Sequence, residues 1–512
     1  MRRSISSDLS RHGVVDRRSG QYLCFPDVAK DQNGALLAVY READQHVASR
    51  SRLLCSYSWD NGKTWDSPKE LNSQAGHCPR ISQTESGELI AIDDLSASIY
   101  RFGPDETFRR IPIQTHARHE LVDAPLTIPD RMICYPDGRL GTISQVRLGT
   151  YGLSHYPTTN QAQWANLYYE SSDGGENWIP LSVAGMEKDL SLCETSACRL
   201  PDGRLLALMR ENTGVYEPMY AAFSNDCGKS WGPVKPTPLI GHRPCVGVTS
   251  DGRLLITYRG VGPERATNAW LGGVEELCEF AVHGSDGRLK LSSEGLQTEG
   301  NGERPLFFAL RPLSNPMTAS AQFTVRVRVL QGGGACGVQF GGIWWALTAK
   351  GIRPESGEEI ALNPGSLLRF YYQQGKTTLF ADNRLCVSIP VTPGKNTRII
   401  TFGEHREFSS TEGGALWQEM SLEIEEPSYL RKYHWKWSPK DGLPDDYTRQ
   451  RVLELKNAAG LWGGDYGYSG WTEYAPGEFC CVYHHADPDA EQAKGSYVLA
   501  TRFSNDDFTK KV

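Results

Sequence analysis

The chain has no run rich in lysine and arginine, and its formal net charge is −7. A nucleic-acid partner is therefore not expected, because phosphate recognition needs clustered basic residues. No apolar stretch reaches the roughly 18 residues that a membrane-crossing helix needs, so no membrane association is expected either. The opening MRRSISSDLSRHG has basic residues but no apolar segment behind them, and so does not read as a secretory leader. A cytoplasmic location is expected; the alternative is a secreted or periplasmic protein whose leader has been removed. No Cys-x-x-Cys pair occurs, so no zinc site, and more broadly no metal or cofactor, is expected. The thirteen cysteines are an odd number and sit at strand positions such as Cys198, Cys245, Cys480 and Cys481. They read as buried free thiols in a reducing compartment.

What is present is turn chemistry. The segments SYSWDNGKTW, SSDGGENW and SNDCGKSW share Ser-x-Asp-x-Gly-x-x-Trp at Ser58/Asp60/Gly62/Trp65, Ser171/Asp173/Gly175/Trp178 and Ser224/Asp226/Gly228/Trp231. A weaker copy, SNDDF, begins at Ser504. A second repeat consists of hairpins that turn on Gly34, Gly87, Gly138, Gly203, Gly252 and Gly477. Asp-Gly and similar pairs between apolar runs are the strongest local hairpin signal. Six hairpins at quasi-regular spacing predict an all-β fold, a six-bladed β-propeller with one hairpin per blade. The Trp-bearing turns then staple the outer strands.

A chain of 512 residues is too long for one compact core. Residues 20–275 are expected to form blades one to five. From 276 to 435 the rhythm breaks into long alternating strands such as AQFTVRVRVL, which predict an inserted, lectin-like β-sandwich. Residues 436–512 are expected to supply a short helix over 445–457, capped by Asp445, and then the last blade. First and last segments together would close the ring.

Aligning the hairpins on their glycines locates the chemistry. Nine residues before the turn lie Phe25, Cys78, Pro129, Glu194, Arg243 and Tyr468, and seven before it lie Asp27, Arg80 and Arg131. Seven residues after the turn lie Arg41, Asp94, Gln145, Arg210, Arg259 and His484, all polar. Positions this far from a tight turn meet at the open end of a hairpin. If these are innermost strands, one channel mouth carries Asp27, Arg41, Arg80, Asp130, Glu194, Arg210, Arg243, Arg259 and Tyr468. Cations with a few carboxylates and a tyrosine suit an anionic small molecule. Polar strand ends reaching solvent would explain the polarity, but not three arginines at one register.

Here the chain resembles the sialidase superfamily. The Ser-x-Asp-x-Gly-x-x-Trp turns are similar to sialidase Asp-boxes. CETSACRLPDGRLLALMR resembles the segment that holds the catalytic glutamate and a substrate arginine, and YGYSGWTEY the segment that holds the nucleophilic tyrosine. The resemblance implies a retaining exo-glycosidase for a terminal acidic sugar in a glycan, with Tyr468 as nucleophile and Glu194 as its base. It implies a carboxylate clamp of Arg41, Arg210 and Arg259, supported by Arg80, Arg131 and Arg243. Phe25 stands where the family has the first arginine of its Arg-Ile-Pro triplet, and Arg41 is the candidate replacement. Asp44 is the implied acid/base, with His46 and Asp27 as rivals and as further substrate contacts. Two other readings stay open: a uronic-acid lyase using Tyr468 or His46, and a glycan-binding propeller without turnover.

Overall fold

The computed structural model describes residues 3–103, 105–116, 124–147, 164–187, 190–212, 218–261, 265–278, 289–300, 307–394, 396–405, 412–441, 444, 452–458, 465–487 and 495–509. Among them, strands group into six four-stranded antiparallel units. Their innermost strands are Tyr22–Lys30, Arg80–Gln83, Ile133–Cys134, Leu192–Arg199, Gly241–Val248 and Ser469–Ala475. Each packs against, or lies beside, the next, and the last packs against the first. This is a six-bladed propeller around one channel, numbered here from blade one at Tyr22. No helix of the described residues is long and apolar enough to cross a membrane.

The six turn glycines all have positive φ, between 73° and 90°. That conformation is costly for any residue with a Cβ, which is why the turn position is legible as glycine. The Trp-bearing turns lie between the third and fourth strands of blades one, three and four. In each, the serine hydroxyl donates to the aspartate and accepts the glycine N–H. The Ser58 Oγ to Asp60 Oδ1 distance is 3.0 Å, with Gly62 N at 2.8 Å from the hydroxyl. Trp178 is fully buried, and its Nε1 donates to the carbonyl of Gly175 at 2.8 Å. The equivalent position in blade six holds Ser504, whose N–H is capped by Asp507.

Ring closure uses both ends of the chain. The strand His12–Asp16 pairs with Ser496–Ser504 as the outermost strand of blade six. Tyr22 also pairs with Ser496 in parallel, so blades six and one form a continuous sheet.

Blade five takes its fourth strand, Val452–Asn457, from far along the chain, and Arg3–Ser4 pairs in parallel outside it. This corrects the expected helix: residues 452–457 are extended, and the remainder of that segment, 445–451, lies outside the described residues. Val452, Leu453, Glu454 and Leu455 are all buried because neighbours cover both faces of this strand. A strand buried on both faces loses the alternation that separates it from a helix.

Between blade five's third and fourth strands the chain builds an eight-stranded and a six-stranded sheet. Residues such as Phe323, Val325, Trp345, Phe402 and Trp417 from both sheets join one apolar core. Along Ser320–Gln331 the buried positions alternate through Val327, as a strand with one covered face requires.

Candidate active site

Three inner strands are kinked at one register. In blade one the pairing jumps from Cys24–Arg41 to Asp27–Val39, in blade four from Cys193–Arg210 to Ser196–Leu208, and in blade five from His242–Arg259 to Cys245–Thr257. The extra residues begin at Phe25, Glu194 and Arg243, whose φ angles are 53°, 45° and 47°. Positive φ costs a non-glycine residue on the order of 1 kcal/mol or more, and bulges re-aim side chains beside functional sites. All three lie nine residues before their turn glycine. Beside them, Arg243 Nη2 is 3.3 Å from Cys78 Sγ, and Phe25 and Tyr468 have ring centroids 5.3 Å apart.

Tyr468 and Glu194 form the centre. The phenol donates to Glu194 Oε1 at 2.8 Å. Arg210 Nη1 reaches Glu194 Oε2 at 2.6 Å and the phenol oxygen at 2.8 Å. Arg259 covers the tyrosine ring, with Cζ 4.2 Å from its centroid. Gln145 Oε1 accepts the Glu194 N–H at 2.8 Å, so the bulged backbone is held as well. Burial opposes ionisation of Glu194, but Arg210 and Arg243 outweigh it and keep its pKa below the ordinary value. Burial drives the Tyr468 phenol well above its usual value, against the pull of Arg210. The phenol is thus protonated beside an ionised carboxylate.

A second group surrounds Phe25. His46, His77 and His484 meet its ring edge-on at centroid distances of 5.4, 5.9 and 5.6 Å. His46 Nδ1 lies 2.8 Å from Asp465 Oδ2, and the same oxygen accepts the Tyr22 hydroxyl. Asp465 Oδ1 pairs with Arg259, whose Nε donates to the carbonyl of Tyr466 at 2.6 Å. Burial works against the charge of Asp465, but Arg259 and His484 hold its pKa far below the carboxylate range. His77 Nδ1 is 2.9 Å from Asp94 Oδ2.

The predicted residues divide into two sets. Tyr468, Glu194, Arg210 and Arg259 come together. Arg41 stands at Phe25 instead, Cζ 5.7 Å from that ring, with Nη1 on the carbonyl of His46 at 2.9 Å. The clamp is therefore two arginines at Tyr468 and a third at the Phe25 ring. Asp44 is exposed and makes no hydrogen bond or ion pair among the described residues, whereas His46, two residues on, faces the site.

Asp27, Arg80 and Arg131 do not reach the mouth. They lie two residues nearer the turn than Phe25, Cys78 and Pro129. Arg131 Nε donates to Asp27 Oδ2 at 2.9 Å, and Asp27 also accepts from the N–H groups of Val28 and Ile81. Arg80 donates to the carbonyl of Ser469 at 2.9 Å and lies 3.9 Å from both Asp27 and Asp130. Gly470 runs so close that a Cβ there would sit 1.7 Å from Asp27 Oδ1. These charges neutralise one another inside the channel and join the blades. Arg243 is completely buried between this layer and the site, with Nε and Nη1 unpartnered among the described residues. A cavity of about 720 Å³ opens at the opposite end of the channel, lined by Arg131, Cys134, Arg199 and Trp471 and by none of the residues around Phe25.

Sequence reading missed Asp465, Tyr22 and His77. Asp465 lies three residues before Tyr468, which was the signal available. Tyr22 and His77 precede the aligned bulge positions and carry no repeat of their own.

No protein-family model and no curated protein matches this sequence. Among solved structures, a protein of unknown function from Dyadobacter fermentans is 12% identical, covers 96% of this chain and 98% of its own, and superposes with a TM-score of 0.50. The likeness is one of fold over nearly the whole of both chains. The Trypanosoma rangeli sialidase bound to the inhibitor DANA is 11% identical over 82% of this chain and 93% of its own, with a TM-score of 0.35. A xylan β-1,4-xylosidase from Bacillus halodurans is 11% identical over 81% of this chain and 100% of its own, with a TM-score of 0.33. The fold defines the class, a six-bladed β-propeller; the reading of its activity rests on the site.

Proposed function

We infer that this protein is a retaining exo-glycoside hydrolase for a terminal acidic sugar of the sialic-acid type. Tyr468 is the nucleophile and Glu194 its base. The observation that carries the reading is the Tyr468–Glu194 hydrogen bond under Arg210, which touches both partners. A phenol with a raised pKa is a poor nucleophile alone and needs an adjacent ionised base. A neutral phenol also suits a sugar with a carboxylate at its anomeric carbon, which would repel a carboxylate nucleophile; sialidases are the known exception of this kind among glycosidases.

An anionic substrate is further supported by spare donors. Arg41 Nε, Arg210 Nε, and Arg243 Nε and Nη1 are buried without a hydrogen-bond partner among the described residues. Such donors are costly unless something accepts from them. Guanidinium groups match a carboxylate in a two-point fork.

The test is a panel of aryl glycosides that includes sialosides, other keto-acid sugars, uronides and neutral sugars. Turnover of an acidic member is expected. A 3-fluoro glycosyl fluoride of that sugar should then label Tyr468, read by peptide mass. Labelling at another residue, or Tyr468→Phe activity within about tenfold of wild type (about 1.4 kcal/mol), would end the nucleophile assignment. An unsaturated product would move the protein to the lyases.

A further inference from the structure

The hydrolase reading leaves the leaving group without a proton donor, because the expected Asp44 faces solvent. We propose that His46, oriented by Asp465, donates the proton to the leaving-group oxygen, in place of a carboxylic acid. The proposal rests on the assignment of Tyr468 as nucleophile.

The geometry selects His46 in three ways. Its Nδ1 is fixed on Asp465 Oδ2 at 2.8 Å, so Nε2 is the nitrogen left for a substrate. Its ring meets one side of Phe25 at 5.4 Å, while Tyr468 meets Phe25 at 5.3 Å, so nucleophile and donor share one platform. Asp465 also binds Arg259, which covers the Tyr468 ring, so one carboxylate ties the two halves of the site together. His77 is the competitor, held by Asp94 beside the same ring. Its side chain is 34% exposed against 53% for His46, so His46 is the more open to a substrate. His484 is fully buried, with Nε2 3.4 Å from Asp465 Oδ2, so it is closed to a substrate. The groups facing His46 are Asp465, Tyr22, His484, Arg259, and Arg41 through its bond to the His46 carbonyl.

The step balances. The Tyr468 oxygen forms a bond to the anomeric carbon as its proton passes to Glu194. The glycosidic C–O bond breaks, and its electron pair goes to the leaving oxygen, which takes the proton from His46 Nε2. In the return step a water gives its proton to His46 Nε2 and its oxygen to the anomeric carbon. The Tyr468–carbon bond breaks, and the phenolate recovers its proton from Glu194. The net reaction is hydrolysis.

The experiment compares wild type, His46→Ala and His77→Ala on two glycosides of the same acidic sugar, one with a dinitrophenyl and one with an alkyl leaving group. A dinitrophenolate leaves without protonation and an alkoxide does not. His46→Ala should lose roughly 10²- to 10⁴-fold in kcat/KM on the alkyl glycoside and under about tenfold on the dinitrophenyl one. Added azide, which attacks without base assistance, should restore its turnover as glycosyl azide. Equal losses on both substrates, or the leaving-group dependence appearing in His77→Ala instead, overturn the donor role and leave the hydrolase reading standing. If wild type turns over neither glycoside, the hydrolase reading fails and the donor role with it. Nitrogen-15 NMR of the free protein should find neutral His46 protonated at Nδ1; protonation at Nε2 would remove its bond to Asp465 and overturn the proposal in either case.

Discussion

The Tyr468 hydroxyl meets Glu194 Oε1 at 2.8 Å across 274 residues of sequence, and the inserted sandwich lies within that span. The two residues occupy the same offset from their turn glycines on blades four and six. Blade repetition therefore places the pair: equal offsets mean equal heights around the channel. The bulge in blade four sets the backbone at Glu194, whose φ is 45°, where its side chain meets the tyrosine.

Arg210 holds this pair, and its replacement should be read in both rate and pH. Arg210→Lys keeps one positive charge but cannot bond the carboxylate, the phenol and Asn212 together as the guanidinium does. A loss of about 2–4 kcal/mol in transition-state stabilisation is expected for Arg210→Ala, and part of that for Arg210→Lys. Glu194 acts as a base only when ionised, above its pKa, and Arg210 keeps that pKa low. Removing the cation raises it, so the acid limb of kcat/KM should move to higher pH in Arg210→Ala. An unmoved limb would show that Glu194 is not the titrating base.

Asp27 and Arg131 should matter for stability and not for binding. Asp27 is fully buried, and its oxygens serve Arg131 and two backbone N–H groups. Asp27→Ala strands a buried guanidinium, which costs about 3–5 kcal/mol. Denaturant unfolding should show a loss of that size, while KM of the folded enzyme stays near wild type. A raised KM with unchanged stability would return Asp27 to the substrate site.

The offsets that placed the site were legible because the propeller repeats its hairpin six times and each turn demands a glycine at positive φ. The same alignment failed at Asp27, Arg80 and Arg131, two residues away. Alternation along a strand puts positions nine and seven before the turn on one face, so both sets read as mouth residues. The bulge at Phe25 breaks that equivalence in blade one, where a non-glycine residue at positive φ leaves no mark in sequence. Arg80 and Arg131 are drawn to partners on other blades, the Ser469 carbonyl and Asp27. Asp465 was hidden for another reason: its role depends on His46, Tyr22 and Arg259 arriving from three other strands or loops. The strand Val452–Asn457 was read as helix because blades cover both its faces.

The Trp-bearing turns give the protein an acid-sensitive component. Asp173 accepts from the Asn177 N–H at 3.0 Å and from the Ser171 hydroxyl at 2.8 Å. Burial opposes the charge, but these bonds together outweigh it and bring its pKa down to about 2. A folded pKa below the unfolded value of about 3.9 gives stability that is present above that value and lost as pH falls toward 2. The side chain is solvent-exposed, so screening leaves about 1 kcal/mol of that effect. Asp173→Ala should therefore lower unfolding stability by about 1 kcal/mol at neutral pH, with the gap to wild type closing at the acid end. A gap that persists at pH near 2 would assign the loss to turn geometry and not to charge.

The sandwich should be removable, because the chain leaves and re-enters the propeller at one point. Trp270 on blade five's third strand pairs with Val452 on its fourth, so the two strands are already hairpin partners with a very long connection. The short helix Val274–Cys278 that follows buries Leu277 in the propeller core and belongs with the blade. The sandwich has its own apolar core, which includes Phe323, Trp345 and Trp417. Replacing residues 279–451 by a short glycine-rich linker should therefore leave a folded ring. A cross-link seen to be lost is Arg431 to Glu211, at 3.6 Å, and Glu211 keeps its bond to the Ser191 N–H at 2.9 Å. The shortened protein should unfold cooperatively and retain the wild-type kcat on small aryl glycosides. Loss of cooperative unfolding would mean that the sandwich completes the propeller core. Retained folding with lost turnover would mean that it shapes the site beside Arg210, whose neighbour Glu211 it touches.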